Sequence, residues 1–259
     1  MASWNSYQTS TLGGMVAGVS KIAGGAGTEI NAYIARPDGA GPYPGVVLMH
    51  HVPGWDEFYR EFARRFAEHG YIAIVPNLFE AYGHGTPSEV GALARADGYP
   101  SDDAVVADAQ ASLNWIKAHA SSNGKVGVIG SCSGGRHAVL VASRAEGVGA
   151  AVDLWGGGVV AAPDQLNAKR PVAPIDLTAQ LSCPLLGLFG NDDQSPSPAQ
   201  VDQHEEALKA AGKTYMFHRY DGAGHGFMYH HAPAYRPQAA MDAWEKIDAF
   251  FMEHLVGMM

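Results

Sequence analysis

The chain is poor in cysteine, in positive charge and in long apolar runs. Only two cysteines, Cys132 and Cys183, occur in 259 residues. A lone pair without framework spacing argues against a disulfide-stapled secreted scaffold and reads as free thiols in a reducing compartment. Lysine and arginine number 17 against 26 acidic residues, a net charge of −9. Nucleic acid or an anionic membrane would need a basic face, so neither is an expected partner. No uninterrupted apolar run approaches the roughly 20 residues of a membrane span. The opening stretch Met1–Ser10 lacks the basic start and apolar centre of a signal peptide. Cytoplasm is the expected location. The 32 glycines form no Gly-x-Gly-x-x-Gly after a strand, which argues against a nucleotide cofactor. Repeats and low-complexity linkers are missing too, and 47% hydrophobic content suits one domain over residues 1–259 with a large core.

What is present is an alternation of strand and helix patterns. Ile30–Ala35 alternates as an edge strand ending at Pro37, and Pro44–His51 reads as a buried strand. Asp56 opens a helix whose Phe58, Phe62 and Phe66 form an apolar stripe, closed by Gly70. Tyr71–Val75 is a strand stopped by Pro76. Residues 79–101 are rich in Gly and Pro and read as an irregular loop over a site. Asp102 or Asp103 caps a helix with Val106, Ala109, Leu113 and Ile116 on one side. Further strands are expected at Val126–Ile129, Gly149–Trp155, Leu185–Gly190 and Tyr215–Tyr220. Residues 156–182 form a second irregular segment. Helices are expected over Ala199–Ala211 and Gln238–Leu255. This alternation implies a mostly parallel sheet with helices on both faces, whose sites lie at the carboxyl ends of the strands.

One stretch organises the rest. Val126–Ile129 breaks at Gly130-Ser131-Cys132-Ser133-Gly134, and a helical pattern resumes at Ala138. This is a nucleophile elbow, G-x-S-x-G, with cysteine at its centre: the central residue sits on a strained strand-to-helix turn. The following helix aims its first N–H groups at the same point, which favours a thiolate or an oxyanion. A structural cysteine in a Gly-rich turn is the plainer alternative.

Two later strand ends add reactive groups. Gly190-Asn191-Asp192-Asp193 follows one, and Asp221 to Phe227, with His225, follows the next. Nucleophile, acid, histidine is the chain order of α/β-hydrolases. His225 would move the proton, and a carboxylate would fix its tautomer. Asp192 and Asp193 compete for that role; Asp193 leaves one more residue for the chain to turn back over the sheet.

On Gly130–Gly135, Gly190–Asp193 and Ala223–Phe227 the chain resembles the dienelactone hydrolase (carboxymethylenebutenolidase) family, cysteine members of the α/β-hydrolase superfamily. The likeness runs from about Ile30 to Leu255. It implies a triad of Cys132, Asp193 and His225, and an oxyanion hole from the backbone N–H groups of Val52 and Ser133. It implies no cofactor, a small ester or lactone as substrate, and a monomer or homodimer. The chain departs from the family at His51, where a glutamate contacts the resting thiol, and at Ala81, Tyr82 and Tyr229, where arginines hold the substrate carboxylate.

Four further residues are candidates for substrate contact: His51, Arg136, Trp155 and Tyr229. Arg136 stands four positions after Cys132, an offset at which the related haloacetate dehalogenases bind a carboxylate; a buried ion pair is its equal alternative. Trp155 either walls the pocket or fills the core. The twelve histidines include the clusters His50-His51 and His225, His230, His231. Adjacent histidines on an extended segment point to opposite faces, so no metal is expected. The expected activity is ester or lactone hydrolysis through an acyl-cysteine. A thioesterase or acyltransferase on the same triad, and a non-catalytic redox-sensing thiol protein, are the rivals.

Overall fold

A computed structural model describes residues 14–25 and 27–257. Eight strands form a single sheet: β1 Met15–Ala23, β2 Glu29–Pro37, β3 Tyr43–Met49, β4 Ile72–Pro76, β5 Ser122–Ser131, β6 Ala151–Leu154, β7 Leu185–Gly190 and β8 Tyr215–Tyr220. Their order is β1-β2-β4-β3-β5-β6-β7-β8. The first two strands are antiparallel, and every pair from β4 to β8 is parallel. This is the α/β-hydrolase fold expected from the sequence.

The strands read as unbroken apolar runs because both faces are covered. Val46 and Leu48 of β3, with Ala73 and Val75 of β4, face the layer of α1 (Glu57–Glu68) and α6 (Pro237–Phe251). Their neighbours Val47, Met49, Ile72 and Ile74 face the opposite layer. That layer holds α3 (Asp102–Ala118), α4 (Ser133–Arg144) and α5 (Pro198–Ala210). In α1, Phe58, Phe62 and Phe66 are all buried, and the Asp56 carboxylate caps the helix by accepting from Tyr59 N–H at 3.2 Å. Each fully buried aromatic contributes about 1.5–3 kcal/mol.

Three expectations need correction. Residues 79–101 are not one irregular loop: they contain a 3₁₀ turn, Glu80–Tyr82, and a helix, α2, Pro87–Ala96. Thr86 and Glu89 cap each other across its first turn, Thr86 N–H donating to Glu89 at 2.8 Å and Glu89 N–H to Thr86 Oγ1 at 3.3 Å. The second segment, 156–182, holds 3₁₀ turns at Pro163–Gln165 and Pro174–Gln180. Finally, α3 is capped by Ser101, not by an aspartate, and its buried stripe begins at Val105 rather than Val106. Asp102 has another use.

Candidate active site

Every parallel strand from β3 to β8 except β4 delivers part of the site at its carboxyl end. Cys132 follows β5 with φ +56° and ψ −125°. A non-glycine residue there costs on the order of 1–3 kcal/mol, so its surroundings must hold it. They do: Cys132 N–H donates to Leu154 O at 3.0 Å, and its carbonyl accepts from Gly135 N–H at 3.0 Å. The flanking glycines are required by contact. A Cβ on Gly130 would stand 2.0 Å from Gly134 O, and one on Gly134 would stand 1.9 Å from Met49 O.

His225, on the loop after β8, places Nδ1 2.9 Å from Asp193 Oδ2. Asp193 is buried, and its other oxygen accepts from Ser195 N–H at 2.9 Å. Asp192 is exposed, so the structure brings Asp193 and not its neighbour to the histidine. Burial pushes His225 down. The hydrogen bonds to Asp193 and to the Cys132 sulfur, with the charges of both, outweigh burial and hold its pKa up at about 10. Cys183 lies elsewhere, and burial pushes its thiol up to about 12, which leaves it a poor nucleophile.

Of the four substrate-contact candidates, the structure gives three an internal partner and buries the fourth, Trp155. Arg136 sends Nη1 to Asp102 Oδ1 at 2.6 Å and Nη2 to Asp102 Oδ2 at 3.0 Å, both residues buried. The ion pair is therefore the reading that holds. Trp155 is completely buried behind His225, ring centroids 6.5 Å apart. His51 is buried too, with Nε2 2.7 Å from Asp56 Oδ2 and Nδ1 2.7 Å from Tyr229 Oη. Both of its ring nitrogens are thereby engaged inside the protein. Tyr229 Oη lies 2.7 Å from Ser131 Oγ, which lies 2.7 Å from Tyr59 Oη; Ser131 N–H donates to Tyr59 Oη at 3.0 Å.

The proton directions along this chain close in one way. Burial raises the pKa of both phenols, so they remain donors. Tyr59 donates to Ser131, Ser131 to Tyr229, Tyr229 to His51 Nδ1, and His51 Nε2–H to Asp56, leaving every hydroxyl hydrogen with an acceptor. Burial alone would raise Asp56, but the hydrogen bonds it accepts from His51 and from Tyr59 N–H prevail and hold it below the ordinary value. The remaining early histidine is structural: His50 donates Nδ1–H to His51 O and accepts Leu78 N–H at Nε2, each at 3.0 Å. Burial drops its pKa to about 4.

Known proteins place the chain in a family. The family profile described as "Dienelactone hydrolase family" matches residues 30–255. The chain belongs to that family. As such it is a hydrolase of the ester and lactone class. It is 33% identical over 252 residues to a "Putative carboxymethylenebutenolidase" of Methylorubrum extorquens, covering 94% of this chain and 83% of the relative. A "Probable 2-oxo-3-(5-oxofuran-2-ylidene)propanoate lactonase" of Bradyrhizobium is 28% identical over 227 residues, 87% of this chain and 90% of the relative. Among solved structures, a "Putative Dienelactone Hydrolase" of Klebsiella pneumoniae superposes with a TM-score of 0.83 at 30% identity, covering 93% of this chain and 99% of the other. No helix of the described residues is long and apolar enough to cross a membrane.

Asp56, Tyr59, Ser131 and Asp102 are the site residues that sequence reasoning missed. Asp56 was visible only as a helix cap, a role it also fills. Ser131 stood in the elbow motif and Asp102 at a possible helix cap, but nothing local marks their partners, and nothing local marks Tyr59.

Proposed function

We infer that the protein hydrolyses a small ester or lactone through an acyl-cysteine intermediate. The observation that carries this reading is the 2.9 Å bond from buried Asp193 to His225, beside a cysteine held at φ +56°. The Cys132 thiolate attacks the carbonyl carbon. The resulting oxyanion takes the N–H groups of Val52 and Ser133. Ser133 is the first residue of α4, so its N–H has no acceptor within the helix. As the tetrahedral adduct collapses, the carbon–oxygen bond breaks and His225 gives its proton to the leaving alkoxide. Water, deprotonated by His225, then attacks the thioester and expels the thiolate.

The Asp56-His51-Tyr229-Ser131-Tyr59 chain has a place in this scheme. It joins His51, one residue before Val52, to Ser131, two residues before Ser133. The two backbones that supply the oxyanion donors are thereby tied to each other through buried side chains. Arg136 and Tyr229 are both engaged internally, so neither is offered to a substrate carboxylate.

A small activated aryl ester tests the mechanism. Wild-type protein should release a burst of one phenol per chain, with the acyl mass on the peptide holding Cys132. Cys132→Ala should show neither burst nor turnover. An adduct on another residue, or turnover that survives this substitution, would refute the acyl-cysteine.

A further inference from the structure

Outside the site, three donor side chains converge on one surface point. Glu61 stands on α1; His230 and His231 lie in the turn-rich segment between β8 and α6. Glu61 Oε2 is 2.7 Å from His230 Nε2 and 3.2 Å from His231 Nε2, and all three atoms lie within 4.8 Å of one another. Adjacent histidines diverge only on an extended chain. Here the chain turns, and the two rings lie side by side with centroids 3.9 Å apart.

Ion pairing explains the arrangement incompletely. Two imidazolium rings so close over a single carboxylate would repel each other, so charge alone employs one histidine at a time. A divalent cation uses both in their neutral form. Tetrahedral zinc with bonds of about 2.0–2.1 Å sets its ligands roughly 3.3 Å apart, within the spread seen here. The side chains are 34%, 45% and 55% exposed, so shifts of a few tenths of an ångström meet little resistance and a fourth position faces water. The donor set, two imidazole nitrogens and one carboxylate oxygen, suits zinc and its neighbours over magnesium or calcium.

The geometry points to a binding site for a divalent transition-metal ion, zinc first, formed by Glu61, His230 and His231. The ion would cross-link α1 to the segment that carries His225 and Tyr229, joining residues 170 positions apart. It would also sit at the rim of a groove of about 380 Å³ lined by Phe58, Phe62, Met228 and Trp244. The Arg65 guanidinium shares that groove, stacked on Trp244 at 4.3 Å.

The full chain, freed of metal, should be titrated with zinc chloride by calorimetry and melted with and without zinc. One ion per chain should bind, and the melting temperature should rise, because zinc favours the folded form. Replacing both His230 and His231 with alanine should weaken binding more than roughly 100-fold, beyond the loss of a mere supporting group. It should also abolish the thermal shift. Glu61→Gln should weaken binding at least about tenfold. These three side chains are partly or largely exposed, so the variants should fold. Cys132→Ser separates this site from zinc captured by the catalytic pair, and should bind as wild type does. Absence of binding by the wild type overturns the proposal. So does binding that is undiminished in the double variant or in Glu61→Gln, or that vanishes in Cys132→Ser.

Discussion

Two buried polar clusters flank the nucleophile, and they are built on opposite terms. On the β3–α1 side, Asp56, His51, Tyr229, Ser131 and Tyr59 form a line in which each hydroxyl and ring nitrogen has a partner at 2.7 Å. On the α4–β6 side, Arg136 is paired with Asp102, but its neighbours are left short. Among the described residues, Asp153 Oδ2, both ring nitrogens of His137, and Nε and Nη2 of Arg170 have no hydrogen-bond partner. Burial acts directly on these groups: it raises Asp153 to about 7, drives His137 well below its usual value and, with repulsion from Arg136, lowers Arg170 to about 10. A complete polar line fixes geometry, while a short-handed cluster costs stability and titrates. The first belongs next to the groups that need placing within fractions of an ångström. The second marks where the fold is under strain.

The largest effect should come from the acid beside His225, the sharpest case of a fully bonded group. Asp193→Asn should lower kcat by roughly 10⁴-fold, as tautomer control is lost. Asp192→Asn should leave kcat within about twofold, given its exposure. Comparable losses from both would show that the 2.9 Å bond is not the working one. The same bond sets a pH limit. The pKa of His225 is raised above its unfolded value of 6.5 to about 10. Its stabilising contribution is therefore complete below pH 6.5 and lost as pH rises through about 10. The acid for the leaving group disappears over the upper end of that window, so kcat/KM should fall as pH passes about 10. A fall complete by pH 7 would contradict the geometry.

A smaller loss should follow from cutting the bonded line at its middle. Tyr229→Phe keeps the ring, with its T-shaped contacts to Phe58 at 4.5 Å and His51 at 4.9 Å, but removes the oxygen that His51 and Ser131 share. The oxyanion donors then lose their cross-tie without losing their backbones. Kcat should drop about tenfold to a hundredfold, the scale of an ångström-sized misplacement, with KM little changed. A change confined to KM would mean that Tyr229 touches substrate instead of holding the frame.

Neither cluster is disclosed by the sequence as the fold and the catalytic set are. The sheet, its helices and the set Cys132, Asp193 and His225 are written in local patterns: apolar runs bounded by Gly or Pro, and short motifs at strand ends. The helix α2 was legible too, since Thr86-Pro87-Ser88-Glu89 is a capping-box signature, but the Gly and Pro around it read as loop. The bonded line has no such signature. It joins positions 178 and 98 apart, His51 to Tyr229 and Ser131 to Tyr229, which only the closed sheet brings together. Arg136 shows the same limit, because its offset from Cys132 is visible in sequence whereas its partner Asp102, 34 positions earlier, is not.

A small effect on catalysis, and the clearest on stability, belongs to Asp153. Its Oδ1 accepts Gly156 N–H at 2.7 Å, which holds the turn where Trp155 sits at φ +39°. Its Oδ2 has no partner among the described residues, and Gly135 and Gly156 pack so closely that a Cβ on either would meet Oδ1 within 2.4 Å. Folding lifts this carboxyl from 3.8 to about 7. Between those values the folded chain holds a proton that the unfolded chain has released, so its contribution to stability declines as pH climbs from about 4 to 7 and stays low above. Asn at this position imitates the protonated acid: it retains the carbonyl for Gly156 and cannot ionise. Asp153→Asn should therefore melt like wild type below about pH 4. At pH 8 it should melt several degrees higher, since each kcal/mol is worth roughly 2–4 °C in a chain of this size. Kcat at pH 7.5 should change by less than about threefold, because Asp153 acts only on the turn behind Trp155. A melting difference that is the same at both pH values would mean that Asp153 does not titrate in the folded protein. The cluster around α4 would then be strained by packing and not by charge.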